Sequence, residues 1–233
     1  LQLQPLDADS AWLDALQTAL QAAGYWTDRF FCFGNWYQPV PEGGFGVYWQ
    51  QRPSALRHSM ERGRRRLDSA GAWRIDIQTH TSEGLEPALA AYQAVYAQSW
   101  KPPEPCPDFM PELVRMAARE GWLRLAVLWM GERPLAAQVW LVHGGKANIY
   151  KLAYAKGWEK FSAGTVLTHA LMEYVMEVDR VQEVDYLSGD DAYKADWMAL
   201  RRERVGLVAF DRSRLCGLLA AGRHFAGAWR RKR

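Results

Sequence analysis

Hydrophobic and polar positions change period several times along this chain, and each change marks an element. Over residues 10–24, Leu13, Leu16 and Leu20 form an apolar stripe between a Ser10 cap and Gly24, which predicts a helix. The aromatic run Arg29-Phe30-Phe31-Cys32-Phe33-Gly34-Asn35-Trp36-Tyr37 predicts a strand running into a loop broken by Pro39, Pro41, Gly43 and Gly44. A second helix is expected over 54–69, closed by Gly71, and Trp73 to Ile77 alternate like a strand. From residue 83 the register changes. Residues 85–100 read as a helix with Leu89, Tyr92, Val95 and Tyr96 on one side, and 101–107 carry four prolines, too many for a helix or sheet interior. That stretch is expected to be a loop over a cleft, followed by a short helix over 111–119.

Three strands come next at hairpin spacing. Leu123, Leu125, Val127 and Trp129 alternate, a turn at Gly131 to Pro134 leads into 135–142, and Gly144-Gly145 leads into 148–154. The helix expected over 164–178 points Leu167, Leu171, Tyr174 and Val178 inward, and His169, Glu173 and Glu177 outward. A strand over 183–187, a short helix over 193–199, a strand over 205–210 and an amphipathic tail helix over 214–233 complete the reading. The helix between the third and fourth strands of this set makes those two strands parallel neighbours in an otherwise antiparallel sheet. Where they splay, backbone groups are left for an extended ligand. The N-terminus of the crossover helix faces that gap, as an anion site suited to a pyrophosphate.

Composition narrows the class. Of 233 residues, 49% are hydrophobic and 24% charged, an ordinary globular balance that excludes a disordered chain. No apolar run reaches the roughly 18 residues of a membrane helix, and no charged stretch followed by an apolar one opens the chain, so neither a transmembrane segment nor a signal peptide is expected. Cys32, Cys106 and Cys216 are widely spaced without a CxxC, which points to reduced thiols in a cytoplasmic protein and away from a zinc site. A net charge of +3 is too small to imply a nucleic-acid partner. The twelve tryptophans leave room for several to line a groove.

Specific segments carry a resemblance. Ile149-Tyr150-Lys151-Leu152-Ala153-Tyr154, then Lys160-Phe161-Ser162-Ala163-Gly164-Thr165, then Val184-Asp185-Tyr186-Leu187-Ser188-Gly189-Asp190, then Tyr193-Lys194 and Trp197 resemble GNAT-type acetyltransferases associated with bacterial cellulose and exopolysaccharide biosynthesis, relatives of the Fem peptidoglycan aminoacyltransferases. Leu56-Arg57, the Arg64-Arg65-Arg66-Leu67 helix and Ser99-Trp100-Lys101 fit as well, so the likeness runs from about Phe30 to Arg212. It implies an α/β (α+β) GNAT fold, with a mostly antiparallel sheet containing one splayed parallel pair. It places a partial, degenerate GNAT-like unit at 1–82, the acyltransferase domain at 83–212 and a basic tail at 213–233. It implies acetyl-CoA or another acyl-CoA as co-substrate, no metal, and a small-molecule or glycan acceptor bearing an amine or hydroxyl. The alternatives are a Fem-like transferase using aminoacyl-tRNA, and an inactive binding module that keeps the fold.

The candidate residues follow. Lys160, Ser162, Ala163, Gly164 and Thr165 form the expected pyrophosphate loop, against the plainer reading of Ser162 as a helix cap. Tyr193 is the candidate acid for the departing thiolate, against a packed aromatic, and Lys194 is an oxyanion or substrate partner, against a surface lysine. Asp185 is a candidate base or a turn anchor, and Asp190 and Asp191 are rival bases or helix caps. Trp36, Trp100 and Lys101 are the expected acceptor-side residues, with the acceptor approaching over the aromatic stretch and the proline loop. His143 reads as a turn residue and His169 as solvated. The arginines of 57–66 read as a solvated face or a surface for an anionic partner. No Ser-His-Asp pattern supports a covalent serine route.

Overall fold

The computed structural model describes residues 1–231. Lys232 and Arg233, the end of the expected basic tail, lie outside the described residues. The chain forms two compact units, one from residues 1–35, 188–190 and 201 onward, the other from 36–187 and 191–200.

The smaller unit holds β1 (Gln2–Asp7), α1 (Ala11–Ala22) and the first part of β2 (Tyr25–Pro39). The larger unit takes the end of β2, then α2 (Gly44–Gln50), α3 (Ser54–Ala70), β3 (Trp73–Gln78), α4 (Leu85–Ala97), α5 (Phe109–Arg119), β4 (Leu123–Met130), β5 (Arg133–His143) and β6 (Lys146–Tyr154). A 3-10 turn at Glu159–Phe161 leads into α6 (Ala163–Glu177), β7 (Glu183–Asp185) and α7 (Lys194–Trp197). The chain returns to the smaller unit with β8 (Leu200–Asp211) and α8 (Leu215–Arg231). Strands of the larger unit run in the order β2-β7-β6-β5-β4-β3, and those of the smaller one β1-β8-β2. Pairing is antiparallel at β1–β8, β2–β7, β3–β4, β4–β5 and β5–β6, and parallel at β6–β7, across the α6 crossover. The architecture is the GNAT-type mixed sheet expected from the sequence.

In the larger unit β4 and β5 are buried on both faces, so their hydrophobic runs are nearly continuous. Ala126, Leu128, Leu135 and Trp140 pack with Leu167, Leu171 and Val175 of α6 and with Leu56 and Leu67 of α3. Leu123, Leu125, Val127 and Val139 face the other way, onto Leu89, Tyr92 and Val95 of α4 and Met110 and Val114 of α5. Opposite faces follow from the alternation of side chains along a strand. The β5–β6 register slips between Val139↔Lys151 and Trp140↔Ile149, which leaves Tyr150 as an extra residue in β6. A bulge of this kind bends the strand and interrupts its pairing.

The structure departs from the sequence reading at several points. Neither β1 nor α2 was expected; residues 44–50 follow a run of Pro and Gly that reads as breaker. β2 extends through Pro39, which is tolerated because a terminal strand residue can forgo its N–H. β7 is three residues long, ending at Asp185, and β8 begins at Leu200. Val178 is 61% exposed rather than inward, because α6 stops at Glu177 and the chain turns there. His169 is not solvated. It lies edge-on to the Phe45 and Trp49 rings at 5.0 and 4.5 Å, covered by the unforeseen α2, and burial holds its pKa down at about 4. The three cysteines are free. Among the described residues no helix is long and apolar enough to cross a membrane, and no cluster of His, Cys, Asp and Glu is arranged to hold a metal ion.

Candidate functional site

The site begins where two parallel strands part. β6 and β7 pair from Lys146↔Glu183 to Asn148↔Asp185 and no further. The Tyr150 bulge bends β6 just beyond, and β7 ends as the Leu187 N–H donates to Asp185 Oδ1 at 2.7 Å. Leu187 sits at φ 56°, a strained conformation for a bulky residue, and it turns the chain out of the sheet. A cavity of about 450 Å³ fills the gap on the α6 side. Its walls come from Leu152 and Tyr154 of β6, Thr165 and Thr168 of α6, Ser59 of α3, Trp100, Tyr186, Tyr193 and Asp196, all within the larger unit.

The α6 N-terminus opens into this space. Ser162 adopts a left-handed conformation (φ 49°) ahead of α6, and the first helical bond is from Val166 N–H to the Ser162 carbonyl. The N–H groups of Ala163, Gly164 and Thr165 precede that bond, and no side chain caps them. Ser162 Oγ points instead to Ser59 Oγ, 3.5 Å away. The plainer reading of Ser162 as a cap therefore fails, and the amides stay available. A second hollow of about 210 Å³, lined by Tyr154, Glu159 and residues 162–165, lies directly in front of them. Free amides and the helix dipole together favour an anion there.

α3 braces this loop. A Cβ at Gly63 would fall 2.5 Å from the Phe161 carbonyl oxygen, so only glycine lets the helix approach this closely. The Arg66 guanidinium donates to the Lys160 carbonyl. Ala55, Ser59, Arg62 and Arg66 follow the i, i+4, i+7, i+11 stripe of one helix face. The stripe starts in the cavity with Ala55 and Ser59 and ends at Arg66, which reaches the loop ahead of α6.

A polar network crosses the cavity floor. Gln138 Nε2 donates to Thr168 Oγ1 at 2.8 Å and to the Gly164 carbonyl at 3.2 Å, while Gln138 Oε1 accepts from Trp140 Nε1. At the far wall the Tyr186 and Tyr193 rings meet edge to face at 5.9 Å. Burial, and secondarily Asp191, push the Tyr193 phenol up to about 12. α7 is held by Tyr48 Oη and Arg52 Nη1, which both donate to the Trp197 carbonyl, at 2.9 and 3.0 Å.

The expected residues divide accordingly. Tyr193, Trp100, Gly164 and Thr165 line the main cavity, and Ser162 and Ala163 line its annex. The Lys160 ammonium lies over the Phe161 ring beside the annex. Lys194 is buried, paired with Asp191 at 3.2 Å and lying over the Tyr186 ring. Asp185 is buried and engaged at the β7 turn, and Asp190 forms a bidentate pair with Arg201 in the smaller unit. Neither lines the cavity. Trp36 packs on the α6-side core, and Lys101 lines a separate hollow on the α4 side. Asp196 and Gln138 were missed. Asp196 is three residues beyond Tyr193, on the same face of a helix, and Gln138 is a lone polar residue in an apolar strand.

Comparison with known proteins agrees with this geometry. Residues 54–195, more than half of the chain, match the family described as Acetyltransferase (GNAT) domain. A comparison with curated proteins gives no match. Among solved structures, FemX superposes with a TM-score of 0.66 at 11% identity, covering 91% of this chain and 72% of that one. The C-terminal domain of a protein assigned as a lysylphosphatidylglycerol synthetase, from Agrobacterium fabrum, gives 0.60 at 13% identity, covering 89% and 67%. L-PGS from Bacillus licheniformis gives 0.56 at 11% identity, covering 94% and 70%. At these identities the likeness is one of fold.

Proposed function

This chain belongs to the GNAT acetyltransferase domain family, and from that premise we propose that it moves an acetyl or other acyl group from acyl-coenzyme A to an amine or hydroxyl by direct attack. One observation carries the reading: the uncapped α6 N-terminus opens onto a cavity at the gap between the parallel strands. The donor's pyrophosphate rests on the amides of residues 163–165, and Arg62, Arg66 and Lys160 balance its charge. Its thioester arm runs along the unpaired edge of β6 toward Tyr193. The acceptor's nitrogen or oxygen attacks the thioester carbon, the carbon–sulfur bond breaks, and the thiolate leaves. A phenol near 12 lies well above a thiol's usual 8 to 9, so complete proton transfer to the sulfur is uphill. Tyr193 therefore stabilises the leaving thiolate through a hydrogen bond. The acceptor's proton passes to Asp196, the one carboxylate lining the cavity among the described residues, or to water it orders. A cell-envelope or polysaccharide-related acceptor is our reading of the sequence resemblance.

The second reading, an aminoacyl-tRNA donor, draws support from the arginine stripe of α3, which suits nucleic-acid phosphates as well. Thermal denaturation with acetyl-CoA, coenzyme A and charged tRNA separates the two, since a ligand that binds only the folded state raises the melting temperature. Acetyl-CoA at one hundred times its Kd is expected to add about 2.7 kcal/mol. A shift with charged tRNA and none with coenzyme A would transfer the case to the second reading.

A further inference from the structure

On the α4 side of the sheet, opposite the donor cavity, a hollow of about 320 Å³ lies under the proline loop. Tyr92, Gln93 and Tyr96 of α4 line it, together with Lys101 and Glu104 of the loop and Met110 of α5. Two observations single it out. Tyr92 is 2% exposed and its hydroxyl has no hydrogen-bond partner among the described residues. A buried hydroxyl without a partner is costly, and such groups mark places where a ligand completes the bonding.

The second observation is a count of charges. Lys101 is half-buried, and the charges that act on it are Lys151, Glu104, Lys194 and Asp191. Each of the two carboxylates already has a lysine: Lys151 binds Glu104 at 2.6 Å and Lys194 binds Asp191 at 3.2 Å. The Tyr96 hydroxyl also lies against Glu104. Lys101 is the third cation, with only the Tyr96 and Trp100 rings near its ammonium, at 5.9 and 5.7 Å, and no carboxylate in ion-pair reach among the described residues. Burial and the neighbouring Lys151 push its pKa down, the mark of an uncompensated positive charge. The hollow therefore carries one surplus positive charge and one unsatisfied hydroxyl.

We infer that this hollow is the acceptor site and that it selects acceptors bearing an anionic group, a carboxylate or a phosphate, held by Lys101 and the Tyr92 hydroxyl. The inference rests on the acyltransferase reading and names the substrate class for it. Consecutive residues line the two chambers: Trp100 the donor cavity and Lys101 the hollow. Lys151 sits on β6 beside the Tyr150 bulge, where the sheet opens between the two sides. An acceptor of about monosaccharide size, anchored by its anion under the proline loop, directs its amine or hydroxyl at the gap.

Calorimetric titration of the full chain tests this with matched probes: glucosamine 6-phosphate against glucosamine, and glucuronate against glucose. At least one anionic member is expected to bind tenfold or more tighter than its neutral partner, and which one does so tells phosphate from carboxylate. Lys101→Gln should erase that preference and Lys101→Arg should restore it. Tyr92→Phe should weaken the anionic probe several-fold while leaving the protein folded. Equal affinity within both pairs, no binding of any probe, or an undiminished preference in Lys101→Gln overturns the inference. Coenzyme A is titrated separately. If it fails to bind while the anion preference and its loss in Lys101→Gln persist, the acyl-CoA reading falls and the anion site stands.

Discussion

Single residues in this protein are pulled away from their usual chemistry by what covers them. Tyr193 is one case, still 45% exposed: partial burial pushes its phenol up to about 12, so it stays protonated across the working range, and in the proposed mechanism it acts by hydrogen bonding. Tyr193→Phe is expected to lower kcat about tenfold to a hundredfold with little change in acetyl-CoA affinity, because only an interaction with the developing thiolate is lost. Single-turnover kinetics at saturating donor would show this, and a variant with wild-type chemistry would make Tyr193 a packing residue. His169 is the clearest structural case. Its folded pKa of about 4 lies below the ordinary value near 6.5, so the unfolded chain binds the proton first as pH falls. The associated stability is fully present above about 6.5 and drains away down to about 4. Between pH 7 and 5 this amounts to about 1 to 2 kcal/mol, allowing for partial exposure. His169→Phe keeps the ring contacts with Phe45 and Trp49 and removes the titration. Urea midpoints at the two pH values should therefore differ less in the variant than in the wild type.

At the scale of elements, the α3–α6 contact shapes the loop that we propose holds the pyrophosphate. An interior helical glycine ordinarily costs about 1 kcal/mol relative to alanine, so Gly63→Ala in isolation would stabilise α3. Here the added Cβ meets backbone, the Phe161 carbonyl, at 2.5 Å, and the helix has to back away from the loop. The clash outweighs the propensity gain: Gly63→Ala should destabilise by about 1 to 3 kcal/mol and weaken coenzyme A binding as the loop loses its brace. A variant more stable than wild type with unchanged affinity would show that the contact matters little. Gly164 behaves in the opposite way. A Cβ there meets only Tyr154 Cδ1 at 3.4 Å, a contact that a small shift absorbs. Gly164→Asp places a carboxylate in the first turn of α6, which favours the helix by about 0.3 to 1 kcal/mol while repelling a phosphate. The protein should remain folded with its melting temperature unchanged or raised, and lose coenzyme A affinity by tenfold or more. Full affinity in that folded variant would remove the pyrophosphate from the α6 N-terminus.

On the scale of the larger unit, a nearly buried ion pair ties the start of β4 to the turn after α6. Arg124 binds Asp179 in bidentate fashion at 2.6 and 2.7 Å, with both side chains about one-tenth exposed. Asp179→Ala strands the guanidinium and should cost about 3 to 5 kcal/mol, with much less lost when Arg124 is replaced by Leu in the same variant. Chemical denaturation of the single and double variants measures this; equal losses in both would mean that the pair's geometry, not its charge, is what counts. The sequence by itself determined most of the elements and their order, β1 and α2 excepted, because the periods of 3.6 and 2 are local properties: α3, α4, β4 to β6 and α6 all fall within a few residues of their expected ends. It also pointed to the parallel β6–β7 pair, since the intervening helix supplies the crossover that parallel neighbours need. Tyr193 and Gly164, which the structure brings to one cavity, were singled out by their motifs. What the sequence left open depended on contacts between distant segments. α2 has no propensity signal and exists because Phe45 and Tyr48 bury against α6-side core, which in turn buries His169. Ser162 is not a cap because α3 draws its hydroxyl toward Ser59, more than a hundred residues earlier in the chain. The gap itself needs a one-residue slip between β5 and β6, and the surplus charge at Lys101 appears only when Lys151 and Asp191 have taken their partners. Period and propensity are read from neighbours in the chain, whereas register, desolvation and charge balance are sums over neighbours in space, and those only the tertiary structure decided.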